Sequence, residues 1–186
     1  MQLTERQARL LQLWRTHCGA RRFPAYRDFD ELELQAWLGD LHLLEVVDGG
    51  RDFRYRIYST GFAQHLGRRL TGKLMSETPE PQLRAIGLAC YGEACRRAGP
   101  ILIRRPTVIP GPLPYDTVRD YLVLPLGEVE DAVDRLLVLH DRMEKEPINS
   151  ARVEYVPLDG GRPFSRSLRS ILRRAGVKAA PSEAPR

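Results

Sequence analysis

The chain has 186 residues and a net charge of +5, a length that suits one domain with extensions. Basic and acidic residues balance over residues 1–150, so the whole excess sits in residues 151–186; this argues against a nucleic-acid-binding core. No run of about eighteen apolar residues, a charged N-terminus and an odd set of cysteines (Cys18, Cys90, Cys95) argue against a membrane span, a secretory signal and a disulfide framework, and the expected location is cytoplasmic.

The first expected element is a helix over residues 4–16. Thr4 and Gln7 form a capping box, Ala8, Leu10, Leu11 and Trp14 make an apolar stripe, and Gly19 ends it. Asp30 is expected to cap a second helix through Leu38, with Leu34, Trp37 and Leu38 on one side and Gly39 as the stop. Next comes LHLLEVVDGGRDFRYRIY, Leu41–Tyr58. Two apolar runs flank Asp48-Gly49-Gly50-Arg51-Asp52, which is turn chemistry, so a strand pair is expected. Phe53, Tyr55 and Ile57 alternate with Arg54, Arg56 and Tyr58, the second set facing out.

Ser59 or Thr60 caps a short helix with Phe62, Ala63 and Leu66, and a single turn follows near Leu74–Glu77. Thr78 with Pro79 opens a long helix to about Ala98, closed by Gly99-Pro100. Three strand patterns follow, in ILIRRPTVI, DTVRDYLVLPL and VDRLLVLH. Prolines 106, 110, 112 and 114 mark a protruding connection or sheet edge between the first two, and Pro125 an edge or bulge. The pattern then fades into a linker, in which Val153–Val156 can form a short strand.

A strand pair, several helices, then three strands resembles the order of the PAS sensor fold. The residues that carry the resemblance are Phe53–Tyr58 running into Ser59-Thr60-Gly61, the step Gly67 to Leu70-Thr71-Gly72-Lys73, and Tyr121–Leu126 followed by an acidic turn and Val133–Leu139. Upstream, Trp14, Pro24, Arg27–Asp30 and Leu41–Glu45 resemble the entry segment of a bacterial subfamily of short stand-alone PAS proteins; where that subfamily has Asp-Pro after Arg27, this chain has Phe29-Asp30-Glu31. The resemblance implies an α+β chain with a five-stranded antiparallel sheet and helices on one face. The expected division is an N-terminal helical extension (1–39), a PAS core (40–142), and a linker with a basic amphipathic tail (143–186).

It further implies a sensory regulator that acts through a protein partner or a homodimer. The default ligand site of that fold lies between the sheet and the short helices. Its candidate walls here are Tyr55, Ile57, Phe62, His65, Leu66, Leu74, Leu83, Ile86, Cys90, Tyr121 and Val123. The competing account is that these side chains fill an ordinary close-packed core. No haem or flavin is expected, because the long helix carries no histidine and neither Cys90 nor Cys95 sits in a flavin-cysteine motif.

No zinc spacing, nucleotide loop or hydrolase elbow occurs, so no catalytic role is expected. The arginine pairs at 21–22, 68–69, 96–97 and 104–105 read as solvated faces and surface ion pairs. In the tail, Arg162, Arg166, Arg169, Arg173, Arg174 and Lys178 accompany Phe164, Leu168, Ile171, Leu172 and Ala175 at helical spacing. That basic amphipathic helix suits an anionic membrane, a nucleic acid, an acidic protein or its own domain.

Overall fold

A computed structural model gives the architecture. It describes residues 2–107, 115–129, 131–147, 153–160 and 173, with backbone only at 65, 66, 106, 107, 115, 116, 142, 146 and 147. The chain is α+β, with one antiparallel sheet in the order β2-β1-β5-β4-β3-β6. The strands are β1 (Leu41–Val47), β2 (Asp52–Ile57), β3 (Ile101–Thr107), β4 (Tyr115–Leu126), β5 (Arg135–Pro147) and β6 (Glu154–Pro157). The helices are α1 (Glu5–Cys18), α2 (Glu31–Leu34), α3 (Thr60–Leu66) and α4 (Pro81–Arg97), with short 3-10 turns between them.

The expected hairpin joins β1 and β2, and Asp48, Gly49 and Gly50 all take positive φ there (50°, 62° and 85°). That backbone region costs glycine little, which is why the two glycines mark the turn. β2 is one edge of the sheet. Its outer side is covered by the Leu70-Thr71-Gly72-Lys73 step: Gly72 N–H donates to Tyr55 O at 2.7 Å and Tyr55 N–H to Lys73 O at 3.0 Å. An edge strand covered this way offers fewer free groups to a second sheet.

Five strands were expected and six are present among the described residues, because Glu154–Pro157 pairs with β3 from Ile101 to Arg104. β5 also runs through Pro147, so the sheet extends beyond residue 142. Two of the strand prolines, Pro106 and Pro125, sit where one ladder side is open. β6 reaches only to Arg104, two residues before Pro106, and β3 reaches only to Val123 along β4, two residues before Pro125. Neither proline therefore removes a needed donor.

Helices cover both faces rather than one. α3, the turn Met75–Glu77 and α4 cover the inner face, over Leu44, Phe53, Tyr55, Ile103, Tyr121, Val123, Leu136 and Val138. α1 and the segment through Trp37 cover the other face, over Leu41, Leu43, Leu122, Leu124, Leu126, Leu137 and Leu139. The Thr4–Gln7 capping box forms as expected. Leu10, Leu11 and Trp14 are buried, and the Trp14 indole N–H donates to Pro125 O at 2.8 Å. The N-terminal segment is thus part of the core. Gly127 fixes its path: its N–H donates to Pro24 O at 3.0 Å, and a Cβ there would lie 2.2 Å from Ala132 O and 2.4 Å from the Phe23 ring.

Three local expectations need correction. The second helix stops at Leu34 and continues as a 3-10 turn over Gln35–Asp40, which leaves Leu38 exposed. The long helix starts at Pro81, not Pro79, because Thr78 closes the preceding turn through its N–H to Met75 O. Tyr58, expected to face out, is buried, while Ile57 is 37% exposed. β2 ends at Ile57 and the chain turns into the cap of α3, so strand alternation no longer governs Tyr58.

Candidate functional site

The inner face of a sheet covered by helices should be apolar, yet here it carries a row of polar side chains at one end. Strand register supplies them: His42 from β1, His140 from β5, Arg119 from β4 and Arg105 from β3. His42 lies opposite Val138, His140 opposite Tyr121, and Arg119 opposite Arg105. His42 is 2% exposed, His140 1% and Arg105 7%. Over them lie the rings of Tyr55, Tyr58, Phe62 and Tyr121, with His42 and His140 centroids 5.0 Å apart.

Ser59 ties the row to α3. Its hydroxyl oxygen accepts from Phe62 N–H at 2.9 Å as the helix cap, and its own N–H donates to His42 Nδ1 at 3.1 Å. Ser59 Oγ also lies 2.6 Å from His140 Nε2. On the other side of that ring, Arg119 Nη1 lies 3.3 Å from Nδ1. A guanidinium can only donate, so Nδ1 accepts and the imidazole proton sits on Nε2, directed at Ser59. His140 therefore donates to Ser59 and cannot take its proton. This Ser–His contact is a buried cap and lacks the geometry of an activated nucleophile.

Both histidines are held neutral. Burial, reinforced by Arg105 and Arg119, pushes His42 down to about 3. Burial, then His42 and Arg119, pushes His140 down to about 2. The Cys90 thiol is buried and pushed up to about 12, so it is inert at neutral pH.

The arginines are the unusual members. The Arg105 guanidinium lies 4.1 Å over the Tyr121 ring, and that of Arg119 lies 5.3 Å from the Phe62 ring. Arg105 also bonds the Tyr91 hydroxyl. The Nε of each arginine is buried without a partner, as is the Tyr58 hydroxyl. Other members of the arginine pairs form ion pairs as expected, as with Arg21 on Asp28, Arg68 on Glu80 and Arg96 on Glu93. Arg105 overturns the reading of its pair as a solvated face, since β-strand alternation turns it inward while Arg104 turns out.

Of the residues expected to line a ligand site, Tyr55, Phe62, Ile86, Cys90, Tyr121 and Val123 come together in the inner core, and Leu83 is buried. Ile57 is not a wall, because it is part-exposed at the strand end. Leu74 is half-buried and bridges to Arg54 through its backbone. The side chains of His65 and Leu66 lie outside the described residues. So do tail residues Arg162, Arg166, Arg169, Arg174 and Lys178, while Arg173 is helical and exposed. Sequence reasoning missed His42, Ser59, Arg105, Arg119 and His140. The available signal was period-two parity: a polar residue at an inward strand position. Among the described residues no cluster of histidines, cysteines or carboxylates is arranged to hold a metal ion, and no helix is long and apolar enough to cross a membrane.

No family model matches the chain, and no curated protein or solved structure is significantly similar to it.

Proposed function

We propose that this chain is a PAS-type sensory regulator of the cytoplasm, working without a catalytic step. It reads a small molecule at the inner face of its sheet and passes the result to a protein partner or a second copy of itself. The observation that carries this reading is the polar row His42–His140–Arg119–Arg105 under aromatic rings, between the sheet and the short helix α3. A face that only had to fill space would use aliphatic side chains, since each buried polar group costs stability unless it is bonded. The element order supports the fold assignment, with a strand pair, a helical middle and a three-strand return closed by β1 against β5. The orientation of the Ser59–His140 contact supports a non-enzymatic role, and the free thiols of Cys18, Cys90 and Cys95 suit a reducing compartment.

The test is native mass spectrometry of the protein purified from its own host. A stoichiometric small molecule or protein partner is expected on the intact chain. A bare monomer, with no partner recovered from the same lysate, would overturn the reading.

A further inference from the structure

Arg105 and Arg119 are paired directly across β3 and β4, and both guanidinium groups lie on the inner face, over Tyr121 and Phe62. Like charges opposite one another in a sheet repel. A buried guanidinium is ordinarily matched by a carboxylate, as Asp120 and Glu144 match Arg104 on the opposite face. Among the described residues, the contacts of Arg105 and Arg119 are with Tyr91, Tyr121, Phe62, His140 and Met143, none of them an acid. His42 and His140 are neutral and add no negative charge.

From this we infer that Arg105 and Arg119 are the two arms of an internal anion site, and that its ligand is a small organic carboxylate. The inference names the ligand class for the sensory reading above and rests on it. Three buried donors lack partners here: Arg105 Nε, Arg119 Nε and the Tyr58 hydroxyl. A carboxylate has two oxygens and about four lone-pair sites, most of which three donors fill. A phosphate has many more acceptor sites than these donors fill, and its remaining oxygens would be left unbonded among the rings of Tyr55, Tyr58 and Phe62. Those rings suit the apolar body of an organic acid. Arginine forks onto carboxylate in two-point fashion and, being weakly hydrated, tolerates burial better than lysine. Arg119 is only half-buried, which puts the approach to the site on its side.

The experiment is a set of thermal melts of the full chain in a low-anion HEPES buffer. Sodium acetate, benzoate, phosphate and chloride are titrated at matched ionic strength. Acetate or benzoate should raise the melting temperature saturably, by about 5–10 °C at roughly a hundred times its dissociation constant. Arg105→Gln and Arg119→Gln should each abolish the rise. Arg119 is the less buried of the two, so Arg119→Gln carries the test if Arg105→Gln does not fold. Equal effects of all four salts, or an unchanged response in a folded variant, would overturn the site. A response to phosphate alone would overturn the carboxylate assignment. An uncharged stoichiometric ligand on the native protein would overturn the anion site and leave the sensory reading standing.

Discussion

Replacing Trp14 with alanine tests whether the N-terminal helix belongs to the fold. Trp14 is 4% exposed and packs on the sheet with Leu10, Leu11, Leu122, Leu124 and Leu126. Truncating a buried tryptophan costs about 3–5 kcal/mol in lost burial and residual cavity. The indole N–H also satisfies Pro125 O at 2.8 Å, a carbonyl on the open side of β4 beyond the end of β3. Leaving that carbonyl unpaired adds about 1–3 kcal/mol where water does not enter. A total of about 4 kcal/mol or more corresponds to a fall in melting temperature of roughly 8–16 °C for a chain of this size. Trp14→Phe keeps most of the ring and loses the donor, so it should cost about 1–2 kcal/mol. Urea titration followed by tryptophan and far-ultraviolet signals gives both values. A Trp14→Ala protein within about 1 kcal/mol of wild type would show that the helix does not cover the sheet in solution.

Acid should destabilise the protein well above the carboxylate range. The folded-state values of His42 and His140 lie below the unfolded value of about 6.5, so the unfolded chain binds protons that the native chain does not. Stability should fall as pH drops from about 6.5 toward about 3, by up to about 1.4 kcal/mol per pH unit for each histidine. A His42→Gln/His140→Gln double variant should flatten that limb in urea melts, and an equally steep limb in the variant would refute the assignment. Ser59→Ala removes the cap of α3 and the acceptor of His140, so a loss of about 1–2 kcal/mol is expected, larger than for an exposed serine. Cys90 should resist thiol-specific labelling at pH 8 until denaturant is added, and rapid labelling of the native protein would contradict its burial.

The sequence by itself determined the parts whose cause is local. The Thr4–Gln7 box, the glycine turn of the first hairpin, the Ser59 cap and the alternation from Phe53 to Arg56 are decided by neighbours within a few residues and formed as read, whereas Ile57 and Tyr58 did not follow the strand alternation. The edge expected at Pro106 and Pro125 is local: both lie within interior strands at positions where one ladder side is open, while Pro110, Pro112 and Pro114 lie outside the described residues. The helix start was expected at Pro79 and lies at Pro81, since either proline fits a first helical turn and the preceding 3-10 turn decides between them.

Tertiary structure decided everything that depends on which strands become neighbours. Arg105 reads like Arg104 in the sequence, yet one is buried over Tyr121 and the other paired with Asp120. His42 and His140 are distant in sequence and meet only because β1 pairs with β5. The burial of the N-terminal helix likewise depends on a sheet face that exists only after residues 101–147 have folded. Long-range register brings together groups that no local pattern relates, so the chain's elements were legible while its polar inner row was not.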